Sequence, residues 1–311
     1  MMSVNRREFL KLLGFAFAPT RPFSGDWERE TPLVTSIREY LESVFSGLNM
    51  ALDFRCINGQ HDEEFRIQIN ATNLYPVASC FKAFLALDYF LRTPQNEWHY
   101  DENSIVYRTI VYSDNTLTGV LLDEVGQRIP GRQNAVEKFN DFLYTTIGIT
   151  NGLHTWNWPN NPIVGISDAR YAPSEARQVF IDGQPYMVDN AFTAADLGRG
   201  YDFLVRGQYF ASSPALRDAI TTTISLLSIP AQEYQSPIER AYPAGYMGKD
   251  GILPGRDIAT GRVVNDAGVI TIGDDAYILA FLSAGESEST AIIMLREVVQ
   301  QIERYETEKE L

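Results

Sequence analysis

Segments with clear strand character lie toward the two ends of this 311-residue chain, with a long helical stretch between them. Met50–Ile57 and Glu64–Asn70 read as two strands joined by the turn-forming run Asn58-Gly59-Gln60-His61-Asp62. The next such segments are Ala244–Lys249, Val263–Ile272 and Ala276–Leu282. The order of helix, two strands, a block of helices, three strands and helix predicts one antiparallel, five-stranded sheet assembled from both ends of the chain. Terminal helices flank it. Leu33, Val34, Ile37, Leu41, Val44, Phe45 and Leu48 recur at helical spacing after Thr31-Pro32, which predicts a helix over 32–48, and a second is expected from Glu288 to Glu306.

Between the strand groups, 79–91 is apolar on nearly every side and reads as a buried helix, with further helices over 113–126, 134–147 and 193–206. The stretch from Asn151 to Asn190 is rich in Pro, Asn, Asp and Gly and reads as a long functional loop. The expected fold is therefore α+β, with sheet segments at 32–76 and 240–311 and an inserted all-helical part over 77–239.

Residues 1–31 read as an address. Arg6-Arg7, followed by Phe9, Leu10 and an apolar run from Leu12 to Ala18, resembles a twin-arginine export signal. That run is too short to span a bilayer, which takes roughly 20 residues. Ala16-Phe17-Ala18 would be a cleavage site but for the Pro19 that follows it. The expectation is a protein that works outside the cytoplasm, periplasmic or extracellular, with no stable membrane span. Composition excludes other partners. With 26 Lys+Arg against 40 Asp+Glu the net charge is −14, and no basic stripe offsets it for nucleic acid or an anionic membrane surface. Two cysteines cannot make a disulfide scaffold or a structural zinc site, which leaves one Cys56–Cys80 bridge as an open hypothesis.

Three short motifs carry chemistry. Ser79-Cys80-Phe81-Lys82 places a hydroxyl and an amine on one helix face. A lysine desolvated by Phe81, Phe84 and Leu85 would have its pKa lowered enough to take a proton from serine. Ser113-Asp114-Asn115 follows, and by itself reads as a helix cap. Lys249-Asp250-Gly251 ends a strand and by itself reads as a turn.

In this order the three resemble the S-x-x-K, S-D-N and K-T-G set of class A β-lactamases and penicillin-binding proteins. Two further stretches, 189–197 and 264–269, are similar to that family's Thr-capped helix and the strand after K-T-G. The resemblance runs from about residue 32 to the C-terminus and implies acyl transfer through a serine ester, with no cofactor and no metal. On that implication Ser79 attacks a carbonyl, Lys82 is the base or its partner, and Ser113 relays a proton to the leaving atom in the field of Lys249. Asn115 holds a substrate amide, and the N–H groups of Ser79 and Ile252, which follows Gly251, form an oxyanion hole. The substrate would be a small molecule or a peptide. The readings this leaves are a β-lactamase-like hydrolase, a D,D-peptidase or transpeptidase of the penicillin-binding kind, and a non-catalytic member of the fold.

This sequence departs from the family's pattern in three places. Asp250 stands where the family has Thr or Ser to receive a substrate carboxylate. Either Asp250 turns toward a cation such as Arg256 or Arg262, or the substrate lacks a carboxylate there. The E-x-x-L-N that activates the deacylating water is absent from the corresponding stretch 154–161, where Asp168 and Glu175, later in the loop, are the candidate replacements. The 34 positions from Ser79 to Ser113 make a shorter insert than a class A enzyme carries. His61, His99 and His154 are scattered with no ligand spacing, and Trp156 and Trp158 read as loop anchors or stacking groups.

Overall fold

The computed structural model describes residues 31–57, 64–131, 133–154, 156–158, 161–163, 178–181, 184–187, 190–230, 235–254, 261–273 and 275–309. The export segment expected over 1–31 lies, except for Thr31, outside the described residues.

Helix α1 (Pro32–Phe45) starts where its cap predicts. The Thr31 hydroxyl accepts the Val34 N–H at 3.2 Å, and Pro32 occupies the first turn, where its missing N–H costs nothing. It ends at Phe45, three residues short of the expected 48, and Gly47 beyond it adopts a φ of 77°. Val34, Ile37, Leu41 and Phe45 form its buried stripe.

The sheet contains β1 (Met50–Ile57), β2 (Phe65–Ile69), β3 (Tyr246–Leu253), β4 (Val263–Ile272) and β5 (Asp275–Ser283). Their order is β3-β4-β5-β1-β2, and every pairing is antiparallel. The two ends of the chain meet at β1 and β5, from Met50 opposite Ser283 to Ile57 opposite Ala276. All residues of both central strands are buried, because both faces of the sheet are covered. Alternate residues divide between two cores, as strand geometry requires. Leu52, Phe54, Leu279 and Phe281 pack under α1 and the C-terminal helix α9 (Glu288–Glu308), while Ala51, Ile278, Ala280 and Leu282 face the helical part. This division settles the cysteines. Cys56 lies in the first core and Cys80 in the second, and both are free thiols, so the Cys56–Cys80 bridge is not formed.

The helical part surrounds α2 (Lys82–Arg92), in which Lys82 through Phe90 are all buried. Around it lie α3 (Ile105–Ile110), α4 (Asn115–Arg128), α5 (Ala135–Phe142) and α7 (Pro214–Leu227). Helix α6 (Ala194–Phe210) lies against the sheet with Leu197 and Tyr201 inward, and α8 (Pro237–Ala241) precedes β3. The sequence reading contains no α3, α7 or α8. Helix α7 holds Thr221, Thr222, Thr223 and Ser225, residue types that favour caps and turns over helix interiors. Thr222, Thr223 and Ser225 instead turn their hydroxyls back onto carbonyls four residues earlier.

The expected long loop is also partly built. Gly152–Leu153 and Asn190–Phe192 pair with each other, and Asn190–Phe192 pairs with Tyr75–Pro76. Trp156–Trp158 pairs with Asn161–Ile163, and Gln178–Ile181 with Gln184–Met187. Asp182-Gly183, between the last two, is a hairpin sequence signal that the loop reading passed over.

Candidate active site

Ser79 sits in a short 3-10 turn, Ala78–Phe81, that precedes α2, so the helix begins at Lys82 and not at Ser79 as expected. Residues three apart are nearly eclipsed in such a turn, which still sets Ser79 and Lys82 on one side. The turn is pinned from two directions. The Val77 N–H donates to the Asn190 carbonyl at 3.1 Å, and Asn265 of β4 donates its side-chain amide to the Pro76 carbonyl at 2.6 Å. The Asn265 side-chain oxygen accepts the Ser283 N–H at 2.9 Å, so this residue fastens the turn to the sheet. Ala78 carries the consequence, a left-handed φ of 50° in a residue with a Cβ. Strain of this kind persists where the surroundings over-determine it, and here it lies next to the candidate nucleophile.

Strand β3 passes directly against the turn. A Cβ on Gly251 would stand 2.8 Å from the Ser79 nitrogen and 2.9 Å from the Ala78 Cβ, a separation that only glycine tolerates. β3 is an edge strand of the sheet and packs against the turn. Ile252, expected to supply an oxyanion-hole N–H, lies on this strand and lines an open cavity of about 580 Å³ together with Gln235, Arg240 and Glu288.

Lys82 is fully buried. Its Nζ lies 2.9 Å from the Ser113 carbonyl, 3.1 Å from the Ser113 hydroxyl and 2.7 Å from the Asn115 side-chain oxygen. Burial, and then the nearby charge of Lys249, hold its pKa well below the ordinary lysine range. The Ser113-Asp114-Asn115 triplet explains how both partners reach it. Asp114 is the N-cap of α4, accepting the Leu117 N–H at 3.0 Å. Ser113 therefore precedes the helix with φ 53°, while Asn115 opens it, and the two flanking side chains converge on one amine.

The third motif differs from expectation. The Lys249 amine lies 2.7 Å from an Asp250 carboxylate oxygen and 3.2 Å from the Asp250 carbonyl, with both residues buried. Asp250 thus meets Lys249 of its own motif; Arg262 pairs with Glu288 at 2.6 Å, and Arg256, the other arginine named from the sequence, lies outside the described residues.

Behind this pair is a residue whose role the sequence did not reveal. Asp266 of β4 stands opposite Asp250 in register and is fully buried. It accepts the Ile238 N–H at 2.7 Å and the Tyr246 hydroxyl. Burial, then the charge of Asp250, push its pKa up to about 7. Cross-strand register could have found this contact, because placing Lys249-Asp250-Gly251 opposite Asn265-Asp266-Ala267 brings two carboxylates face to face.

Asp168, Glu175 and His61 lie outside the described residues. Among the described residues, no group of His, Cys, Asp and Glu is arranged to hold a metal ion, and no helix is long and apolar enough to cross a membrane.

No protein-family model and no curated protein matches the sequence. Solved structures do match. A β-lactamase from Sphaerobacter thermophilus DSM 20745 aligns with a TM-score of 0.57 at 18% identity, over 88% of this chain and 96% of that one. TLA-3 extended-spectrum β-lactamase gives 0.60 at 13% identity, over 87% and 98%. PBP-A gives 0.56 at 16%, over 90% and 100%. The chain has the α+β fold of these β-lactamases and of PBP-A. At such identities the likeness speaks for the fold alone. Within this β-lactamase fold, Ser79, Lys82, Ser113, Asn115, Lys249 and Gly251 are gathered where β3 meets the start of α2, and Asp250 is what sets the cleft apart from the K-T-G pattern.

Proposed function

We propose that the protein is an exported active-site-serine hydrolase that forms an acyl-enzyme on Ser79 with an activated ester, a β-lactam or a related amide. The observation that carries this reading is the buried Lys82 amine in contact with Ser113. A lysine whose pKa burial lowers inside a cleft is a base held ready for proton transfer.

Ser79 Oγ attacks the substrate carbonyl as its proton passes to Lys82, and Ser113, 3.1 Å from that amine, returns a proton to the leaving atom. The carbonyl oxygen is received by the N–H groups of Ser79 and Ile252. Asn115 has a double role, since its side-chain oxygen holds Lys82 at 2.7 Å and leaves its amide N–H groups for substrate. The Arg6-Arg7 segment supports export. The absence of E-x-x-L-N from 154–161 favours a long-lived acyl-enzyme, as in the D,D-peptidase or penicillin-binding reading, over rapid turnover.

The test is intact-protein mass spectrometry after incubation with a p-nitrophenyl ester, a reporter penicillin and a chromogenic cephalosporin. The expected result is an acyl adduct that maps to Ser79 and disappears in Ser79→Ala. Absence of an adduct and of turnover with all three compounds would reject the proposal and leave a non-catalytic member of the fold.

A further inference from the structure

On the wall of the cleft formed by β3, the motif's cation is already engaged by the residue next to it. Lys249 and Asp250 form an ion pair at 2.7 Å, with 4% and 5% of their surfaces exposed. A second carboxylate, Asp266, faces Asp250 from the next strand. The other amine of the site, Lys82, is turned toward Ser113 and Asn115. A substrate carboxylate seated beside Lys249 would therefore have to break a buried ion pair and then lie against the Asp250 carboxylate it displaced. Removing one partner of a buried pair is strongly unfavourable, and placing a like charge beside the other adds to that cost. A neutral carboxamide meets the opposite situation. Its oxygen can accept from the Lys249 ammonium and its N–H can donate to Asp250, so the pair is extended and not broken.

We propose that the Lys249–Asp250 pair is the substrate filter of this site, admitting acyl donors with a carboxamide or similar uncharged polar group alongside β3 and rejecting donors with a carboxylate there. This rests on the acyl-transfer reading given above. In the step itself the Ser79 O–C bond forms as the bond from the carbonyl carbon to the leaving atom breaks. The serine proton travels by way of Lys82 and Ser113 to that atom.

The test uses two thioesters with the same N-acylglycyl group, one of mercaptoacetamide and one of mercaptoacetate. They differ in a single carboxamide or carboxylate on the leaving side. Thiol release and the Ser79 adduct mass are followed for the full-length protein and for Asp250→Asn and Asp250→Thr. The wild type should acylate at least about tenfold faster with the carboxamide, and both substitutions should move the ratio toward or past unity. Because the quantity is a ratio within each protein, loss of folded material in a variant cancels. Faster acylation by the carboxylate donor, or a ratio unchanged in both variants, overturns the filter and leaves the hydrolase reading standing. Failure of both donors to acylate Ser79 overturns the filter, and failure of the p-nitrophenyl ester, the penicillin and the cephalosporin as well overturns the hydrolase reading.

Discussion

Along β1 and α6, buried cations and anions alternate through one series of contacts, whereas at β3 and the start of α2 one amine meets neutral oxygens and two carboxylates face each other. In the first region Arg66 pairs with Asp53, Asp53 with Arg55 at 2.9 Å, Arg55 with Asp202 at 3.4 Å, Asp202 with Arg206 at 2.7 Å, and Arg206 with Glu64 at 2.8 Å. Three cations meet three anions. In the second region Lys82 touches neutral oxygens, Lys249 meets Asp250, and Asp250 is faced by Asp266. A closed network holds its side chains in place and needs no ligand. Buried groups left with like-charged neighbours or without a counter-ion are the ones whose protonation a substrate can change, and such groups mark sites.

Two substitutions break this comparison most directly. Lys82→Met keeps the length of the side chain and removes the base. Acylation of Ser79 should fall at least about a thousandfold, while the denaturation midpoint moves by no more than about 1 kcal/mol, because a desolvated amine contributes little to stability. Arg55→Met should do the reverse. It leaves Asp53 and Asp202 buried with one cation fewer and should cost about 3–5 kcal/mol of stability, with the acylation rate of the remaining folded protein unchanged within about threefold. Denaturant titration and single-turnover kinetics on both variants check the pair, and equal losses in both measurements would erase the distinction between the regions.

Sequence periodicity and motif order carried the fold a long way, for reasons visible in particular residues. The β1 and β4 boundaries agree with the strands read from Met50–Ile57 and Val263–Ile272, both of them segments bounded by turn-forming residues and buried along nearly their whole length. Helix α7 was illegible because its Thr and Ser side chains satisfy themselves within the helix, a contact that propensity does not encode. In the site, Ser79, Lys82, Ser113 and Lys249 were singled out by motif order and the resemblance it carries, and the fold sets Lys82 against Ser113 and β3 against Ser79. The strain at Ala78, the clamp made by Asn265 and the partner of Asp250 were not, because each depends on which strand lies beside which turn.

Asp266 allows the comparison to be sharpened by pH. A carboxyl ordinarily titrating near 3.8 and pushed up to about 7 in the fold binds a proton there that the unfolded chain has already released. Its contribution to stability is full below about pH 4 and is lost as pH rises through 7. At 1.36 kcal/mol per pH unit the loss is on the order of 4 kcal/mol. Asp266→Asn removes this dependence, so chemical denaturation at pH 5 and pH 8 should show the variant gaining on the wild type as pH rises. A constant difference between the two proteins across that range would mean that Asp266 titrates normally and that the cluster along β3 is no more strained than the network along β1.

The smallest effect comes from Asp114, which performs two jobs that one substitution can separate. It caps α4 through the Leu117 N–H, and its charge is among those that raise the Lys82 pKa against burial and Lys249. Asn caps a helix about as well as Asp does, so Asp114→Asn keeps the geometry that brings Ser113 and Asn115 to Lys82. It removes one negative charge and leaves Arg108, its partner at 3.0 Å, uncompensated. Both changes favour the neutral amine. The pH at which Ser79 acylation reaches half its plateau should therefore move downward, with the plateau rate itself within about twofold of wild type because the exposed pair is worth little. A plateau that collapses with no shift of the midpoint would show Asp114 to act through helix position alone, and a midpoint that moves upward would show that Lys82 is not the group whose deprotonation admits the substrate.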